Sequence, residues 1–122
     1  MAVDPIQRLV RELAQARKLA RIVSVQNRYS LGDRAHDAVV DRCAKDGLAF
    51  LPWYPLHDRA NSRRIDTIAR THKATTAQVA LAWLLRRSPA MLPIPGTASI
   101  DHFDENWAAR DLVLDDSEFA AL

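Results

Sequence analysis

Three short apolar runs, separated by stretches of helical periodicity, most constrain how this 122-residue chain can fold. They are RIVSVQN at 21–27, LAFLPWYPL at 48–56 and AMLPI at 90–94. We expect Pro52 and Pro55 to end the second run. Short, nearly all-apolar runs are typical of strands buried on both faces of a parallel sheet. Strands that alternate with helices form βαβ units with right-handed crossovers. The sequence therefore predicts an α/β fold.

The stretches between the runs carry signals for helix starts and ends. Asp4 and Pro5 predict the start of a helix that continues to about Leu19. Asp33 is the expected N-cap of the second helix, and Gly47 is expected to end it in the left-handed conformation. Together these signals place one helix before the first strand and one between the first two strands.

The second half of the chain is richer in helix signals. Asn61 is the expected cap of a third helix, and the pairs Thr75–Gln78 and Asp115–Glu118 have the spacing of capping boxes. A further helix is expected after the Pro-Gly break at 95–96, with an apolar stripe of Ile100, Phe103 and Trp107. The predicted order is α-β-α-β-α-α-β-α-α.

Three strands are too few for a closed parallel sheet of this kind. A parallel sheet needs both faces covered and its edges protected. Five or six helices on about three strands would leave apolar surface uncovered. We therefore expect residues 1–122 to be a single unit, the latter part of a larger α/β fold.

Composition excludes several classes of protein. One cysteine, Cys43, rules out an internal disulfide, and its neighbours predict a core position. No apolar stretch has the length of a membrane span and no leader pattern precedes the first helix, so we expect a cytoplasmic protein without membrane contact. Acidic and basic residues are interleaved, so the net charge of +2 does not predict nucleic-acid binding.

Three segments resemble the C-terminal half of the aldo/keto reductases, in the right order and spacing. They are VSVQNRYSLGDR, GLAFLPWYPL and TTAQVALAWLLRRSPAMLPIPGTASIDHFDEN. Aldo/keto reductases are (β/α)8 TIM-barrel oxidoreductases that use NADP(H). The resemblance implies a partial barrel, the C-terminal half, with about three parallel strands and five to six helices. It also implies a site at the carboxyl ends of the strands.

The resemblance assigns two residues to the nicotinamide end of the cofactor. Gln26 matches the position that hydrogen-bonds the nicotinamide carboxamide. Trp53 falls where the family often places an aromatic ring that stacks on the nicotinamide, a role that suits a flat indole. From the residues alone, Gln26 could equally be a polar strand end and Trp53 a core side chain.

The segment LPIPGTASIDHFDEN, residues 92–106, matches the family's loop for the adenosine and its 2′-phosphate. Gly96 would allow close approach of the backbone, while Thr97 and Ser99 offer hydroxyls. The N–H groups at the start of the following helix favour an anion. Without the resemblance, the same residues describe an ordinary capped helix.

Other matched positions in this segment extend the predicted cofactor site and also depart from the family pattern. Glu105 and Asn106 match positions that contact the adenine. Relatives often place arginine or lysine near the 2′-phosphate, whereas this chain has Gly96 and His102 there. No lysine or arginine occurs between Arg87 and Arg110. The preference for NADPH over NADH is therefore left open.

No catalytic residue is predicted in this chain. The resemblance implies that the family's tyrosine, aspartate, lysine and histidine lie in the N-terminal half of the barrel. Tyr29 and Tyr54 belong to other segments and do not match that tyrosine, and no histidine pair has metal-ligand spacing. We therefore expect the chain alone to be inactive.

Two alternatives remain open at this stage. The segment IDTIARTHKATTAQVALAWLLRR superficially resembles a helix-turn-helix, although its second helix is too apolar to read base edges. A non-catalytic interaction protein is the other alternative, with exposed sheet edges that pair with another chain. Expected partners are a nicotinamide dinucleotide and either a polypeptide with the other barrel half or a second copy.

Overall fold

The computed structural model describes residues 4–56 and 62–122. In these ranges the helices and strands, in chain order, are α1 (Pro5–Leu19), β1 (Ser24–Arg28), α2 (Asp37–Asp46), β2 (Ala49–Trp53), α3 (Ser62–Thr71), α4 (Thr76–Arg87), α5 (Ile100–Ala108) and α6 (Asp116–Ala121). A 3-10 turn, Ala109–Asp111, follows α5. The expected cap at Asn61 lies outside the described residues.

Most of the predicted helix signals are confirmed. The carboxylate of Asp4 accepts a hydrogen bond from the Ile6 N–H at 3.0 Å at the start of α1. Both capping boxes form, since the Thr75 and Asp115 side chains bond the third residue of α4 and α6. Gly47 ends α2 with a φ of 68°, which only glycine adopts without strain.

The predicted N-cap at Asp33 is wrong. Helix α2 begins at Asp37, after His36, and no side chain caps it. Asp33 lies in a turn in which its backbone exchanges hydrogen bonds of 3.1 and 3.2 Å with Ser30. Its carboxylate instead forms an ion pair at 3.1 Å with Arg28, the last residue of β1.

Strands β1 and β2 pair in parallel from Ser24↔Ala49 to Arg28↔Trp53. The predicted third strand is reduced to one bridge, Phe50↔Met91, flanked by hydrogen bonds of 2.7 and 2.8 Å between Phe50 and residues 90 and 92. The next hydrogen bond of this pairing would come from the nitrogen of Pro52, which has no N–H to donate. The described sheet therefore has two strands and one bridged segment, all running the same way.

Strand β2 continues through Pro52 to Trp53, contrary to the expectation that Pro52 would end it. The N–H of Ala49 donates to β1, and the N–H of Phe50 donates to the other side. By the same alternation, the nitrogen of residue 52 faces away from β1. The missing donor of Pro52 therefore costs the β1–β2 ladder nothing.

The two faces of the sheet differ sharply in burial, which corrects the prediction of a buried first strand. Phe50, Pro52 and Met91 are buried under the helices. The opposite face carries Gln26 and Trp53 and is open. Strand β1 accordingly alternates between exposed and half-buried residues, and it begins three positions later than expected.

Helix α4 is the centre of the core. Residues 79–84 are all buried, and Trp83 stacks between Tyr29 and Phe119 at centroid distances of 6.4 and 5.6 Å. Cys43 is buried in the same core, as expected. A DNA-recognition helix must present side chains to base edges, so the helix-turn-helix alternative is not favoured.

The apolar stripe of α5 forms at the predicted positions but is not packed. The side chains of Ile100, Phe103 and Trp107 are 79%, 59% and 61% exposed. We call these three residues the α5 stripe. None of the helices in the described ranges is long and apolar enough to cross a bilayer.

Candidate functional site

The carboxyl ends of three parallel segments lie at one edge of the sheet. Strand β1 ends at Arg28, β2 ends at Trp53, and the segment bridged at Met91 continues to Gly96. In parallel sheets, ligand sites form outside the carboxyl ends of the strands. All eight residues predicted to hold a cofactor lie on these ends or after them.

Gln26 and Trp53 lie on the same, open face of the sheet. Gln26 pairs with Leu51, and Trp53 pairs with Arg28, two positions further toward the carboxyl end. Because side chains alternate along a strand, Gln26, Arg28, Leu51 and Trp53 all belong to this face. Trp53 is 43% exposed on this face of the described residues. An exposed indole beside an exposed amide can receive a planar ring.

Two residues at this edge were not singled out from the sequence. The Arg28 guanidinium lies over the Tyr54 ring, with 5.4 Å between the Cζ atom and the ring centroid. Tyr54 in turn contacts Trp53 edge-on at 6.1 Å and has a φ of 62°. The two-residue period of a strand that contains Gln26 is the signal that could have pointed to Arg28.

The loop before α5 is organised by its own hydroxyls. The Thr97 Oγ1 accepts a hydrogen bond from the Ser99 N–H at 3.1 Å, and the Ser99 Oγ accepts one from the His102 N–H at 3.4 Å. Ser99 is therefore the N-cap of α5, as the capped-helix alternative predicts. The Thr97 hydroxyl also donates to the Ser99 carbonyl at 3.4 Å, whereas capping leaves the proton of the Ser99 hydroxyl available to an anion.

The electrostatics of this helix start are mixed. The first N–H groups of α5 have no partner within the helix, and the helix dipole favours an anion there. Asp101 lies in the same turn and opposes it. His102 is exposed in this turn, whereas Arg110 lies past the far end of α5, where it stacks on Trp107 at 4.3 Å. Among the described residues, a methyl group at Gly96 would meet no atom within 4 Å apart from its two chain neighbours, so the space beside the loop is open.

A groove of about 300 Å³ separates α4 from α5. It is lined mainly by apolar side chains, among them Leu85, Leu92 and Phe103, and Asn106 supplies an amide. The neighbouring Glu105 carbonyl accepts a hydrogen bond from the Gln78 side chain at 3.0 Å, which ties α5 to the start of α4. A flat apolar wall with one amide suits a heteroaromatic base.

The Tyr29 hydroxyl is part of a polar cluster that faces the core. It donates to the Asp37 carboxylate at 2.5 Å, and Arg87 bonds Asp37 and Asp41, each at 2.9 Å. Burial, together with this hydrogen bond, raises the pKa of Tyr29 far above its ordinary value. A buried phenol with a raised pKa is poorly placed to give up a proton. Within residues 4–56 and 62–122, no three side chains of the metal-binding types are grouped to hold a metal ion.

The sequence model of the Aldo/keto reductase family matches residues 3–122. The chain belongs to the aldo/keto reductase family. In a (β/α)8 barrel, the sheet face that is open here is enclosed by the other strands. The resemblance inferred from the three segments is thus confirmed over almost the whole chain.

Two curated relatives illustrate the match. The chain is 46% identical over 113 residues to pyridoxine 4-dehydrogenase of Escherichia coli, a match that covers 91% of this chain and 40% of the relative. It is 40% identical over 116 residues to an uncharacterized oxidoreductase of Schizosaccharomyces pombe, covering 93% of this chain and 38% of the relative. The chain therefore spans about 40% of the length of these relatives.

Solved structures give the same result for the fold. A thermostable aldo-keto reductase in complex with the inhibitor epalrestat matches with a TM-score of 0.80 and 30% identity, over 89% of this chain and 42% of that one. An aldo-keto reductase of Klebsiella pneumoniae in complex with NADPH matches with a TM-score of 0.72 and 32% identity, over 80% and 37%. The fold is a partial (β/α)8 barrel, and the family uses NADP(H).

Proposed function

We propose that this chain supplies the NADP(H)-binding part of an aldo/keto reductase barrel that transfers hydride between the cofactor and a carbonyl or alcohol. The proposal is supported by the order of the predicted residues along the fold. Gln26 and Trp53 lie in β1 and β2, toward the carboxyl ends, and the other six follow the bridged segment, in the loop and helix α5. We propose the whole of residues 1–122 as one such unit.

The residues at this edge fit the two ends of a dinucleotide. Gln26 and Trp53 suit the nicotinamide, one with an amide and the other with a ring face. The α5 start, with Gly96, Thr97 and Ser99, suits the 2′-phosphate, and the groove beside Asn106 and Glu105 suits the adenine. NADP(H) when bound would supply or accept the hydride.

In the reaction, residues of this chain would orient the nicotinamide and shield it from water. The Trp53 indole would fix the plane of the nicotinamide and exclude water from one face, while Gln26 would set the rotation of the carboxamide. Positioning of this kind accounts for a large share of catalytic rate. Because the Tyr29 phenol is buried against Asp37, we assign no catalytic role to it. We propose that the proton donor belongs to another part of the barrel.

The open sheet face and the α5 stripe support a partner requirement. Ile100 is 79% exposed and lies outside the groove proposed for the adenine. In a barrel of this family the remaining strands would enclose the sheet face. We propose that the occupant is the rest of an aldo/keto reductase barrel, on this polypeptide or on another.

Titration with NADPH and NADH, followed by nucleotide fluorescence, tests the cofactor site. The chain is expected to bind NADPH, and Thr97→Ala with Ser99→Ala is expected to weaken NADPH about tenfold or more. A lost hydrogen bond to a charged group accounts for a change of that size. NADH, which has no 2′-phosphate, should lose much less.

The matched control is Thr76→Ala, a threonine change at the start of the neighbouring helix α4. Circular dichroism of each variant separates loss of the α5 cap from loss of the phosphate contact. Equal weakening of both nucleotides by the double variant would exclude this loop as the 2′-phosphate site. Reduction of an aldehyde by the purified chain alone would contradict the proposal that the proton donor lies elsewhere.

A further inference from the structure

The strongest unassigned feature is the stack of side chains at the carboxyl ends of β1 and β2. The ladder between the strands weakens there, since its last hydrogen bond, from the Tyr29 N–H to the Trp53 carbonyl, is 3.4 Å long. Beyond that bond the strands are connected by the Arg28 guanidinium, which lies on the Tyr54 ring. A side-chain contact thus joins the strands where the backbone pairing ends.

Arg28 is fixed from its other side. Its Nε lies 3.1 Å from the Asp33 carboxylate, in the turn that follows β1. That turn is closed by the two backbone hydrogen bonds between Ser30 and Asp33. The guanidinium is therefore held between a carboxylate on a closed turn and an aromatic ring on the next strand.

Tyr54 transmits this position to Trp53. Its φ of 62° is a conformation that a bulky residue adopts only when its surroundings impose it. Its ring meets the Trp53 ring edge-on, with centroids 6.1 Å apart and an interplanar angle of 66°. The plane of the half-exposed indole therefore depends on the plane of the Tyr54 ring.

We propose that Arg28 is a positioning residue, which through Tyr54 sets the orientation of the Trp53 ring on the open face of the sheet. The proposal rests on the proposed function for its consequence, because an indole held at a fixed angle is what stacking on a nicotinamide requires. In this arrangement Asp33 holds Arg28, Arg28 holds Tyr54, and the Tyr54 ring constrains the orientation of the Trp53 ring.

The first test is spectroscopic and needs no cofactor. The Trp53 indole N–H resonance is assigned with Trp53→Phe and then followed in Arg28→Ala, Arg28→Lys, Tyr54→Phe and Tyr54→Leu. Arg28→Ala and Tyr54→Leu are expected to shift and broaden this resonance. Tyr54→Phe keeps the ring and Arg28→Lys keeps the cation. In both variants the Trp53 resonance should therefore lie close to its wild-type position.

The second test is NADPH affinity. Arg28→Ala is expected to weaken binding about threefold to tenfold, as the loss of one cation–π contact would. Arg21→Ala removes the same charge just before β1 and serves as the control for general electrostatics. Arg28→Lys should restore part of the affinity.

The two tests separate the two proposals. An unchanged Trp53 resonance in Arg28→Ala would overturn the positioning role whatever the nucleotide does. A shifted resonance in a wild-type chain that binds no NADPH would refute the cofactor site and leave the positioning role intact. If a variant no longer shows a thermal transition, the double variant Tyr54→Phe with Arg28→Lys is measured in its place. This double variant is expected to keep both the Trp53 resonance and the NADPH affinity.

Discussion

The hydroxyls before α5 have to serve two roles at the scale of single residues. Thr97 and Ser99 use their lone pairs to fix the loop and to cap the helix. The Ser99 hydroxyl proton can turn toward an anion, whereas the Thr97 hydroxyl, which donates to the Ser99 carbonyl at 3.4 Å, would exchange that bond for one to the anion. The capped helix and the phosphate site are therefore compatible, and the capped helix places the donors in advance.

His102 provides the residue-scale prediction. An imidazole N–H beside the 2′-phosphate would donate a hydrogen bond that NADH cannot accept. His102→Ala is therefore expected to weaken NADPH about tenfold and to leave NADH unchanged. Nucleotide titrations of wild type and of His102→Ala measure both affinities.

The NADH affinity of the same variant is the control for damage to the loop. Equal weakening of NADPH and NADH would assign the effect to the loop as a whole and not to the 2′-phosphate. An unchanged NADPH affinity would leave the phosphate to Thr97, Ser99 and the helix start.

Helix α4 illustrates what a cap contributes at the scale of an element. The Thr75 hydroxyl accepts from the Gln78 N–H at 3.2 Å, and the Gln78 side chain accepts from the Thr75 N–H at 2.9 Å. Thr75→Ala is expected to lower the free energy of unfolding by about 1 kcal/mol. Urea denaturation measures this loss, and Thr76→Ala, one residue further along, should cost less.

The contact between α1 and α2 depends on pH. Asp46 accepts hydrogen bonds from Arg42 and Arg17, each at 2.5 Å. The bond from Arg42, with the positive charge of Arg17, holds the pKa of Asp46 below its usual value near 3.8. This contribution to stability is therefore present above pH 3.8 and is lost as pH falls through the lower folded-state pKa.

Asp46→Asn should consequently be less stable than wild type at neutral pH, and the difference should shrink in acid. Urea midpoints of both proteins at pH 7 and near pH 3 measure this change. Asp66→Asn on α3 is the control for removing a surface carboxylate. A difference that is the same at both pH values would assign the effect to packing and not to charge.

Local chemistry determined which parts of these elements could be predicted. The capping boxes, the helix end at Gly47 and the apolar stripes depend on residues within a few positions of each other, and they form as expected. Asp33 could not be placed, because its partner, Arg28, is in another element. The reach of β2 past Pro52 depends on which neighbouring segment its missing N–H faces, which sequence alone does not reveal.

The same distinction between local contacts and contacts between elements applies to the candidate site. The order of the matched residues predicts a site toward the carboxyl ends of the strands. Gln26 is the third residue of β1, Trp53 is the last residue of β2, and the loop at 96–99 follows the bridged segment. The contact among Arg28, Tyr54 and Trp53 could not be predicted, because it depends on the register between β1 and β2. Register follows from tertiary packing more than from local pattern.

The surface of the described residues is uneven at the scale of the whole molecule. Core residues such as Trp83 and Val79 are enclosed, whereas the α5 stripe and the sheet face with Trp53 are two open regions. Monomeric proteins rarely leave contiguous apolar patches larger than a few hundred Å² in water. These two regions are therefore the surfaces where association is expected.

The last prediction follows from this asymmetry. The chain by itself is expected to self-associate, and Phe103→Ser with Trp107→Ser should shift it toward monomer in sedimentation velocity, because the α5 stripe loses its apolar area. Val113→Ser is the control, since Val113 is as exposed as Ile100 but lies outside the stripe. A wild-type chain that stays monomeric at high concentration would contradict the prediction, and an equal effect of Val113→Ser would show that apolar area anywhere on the surface drives association.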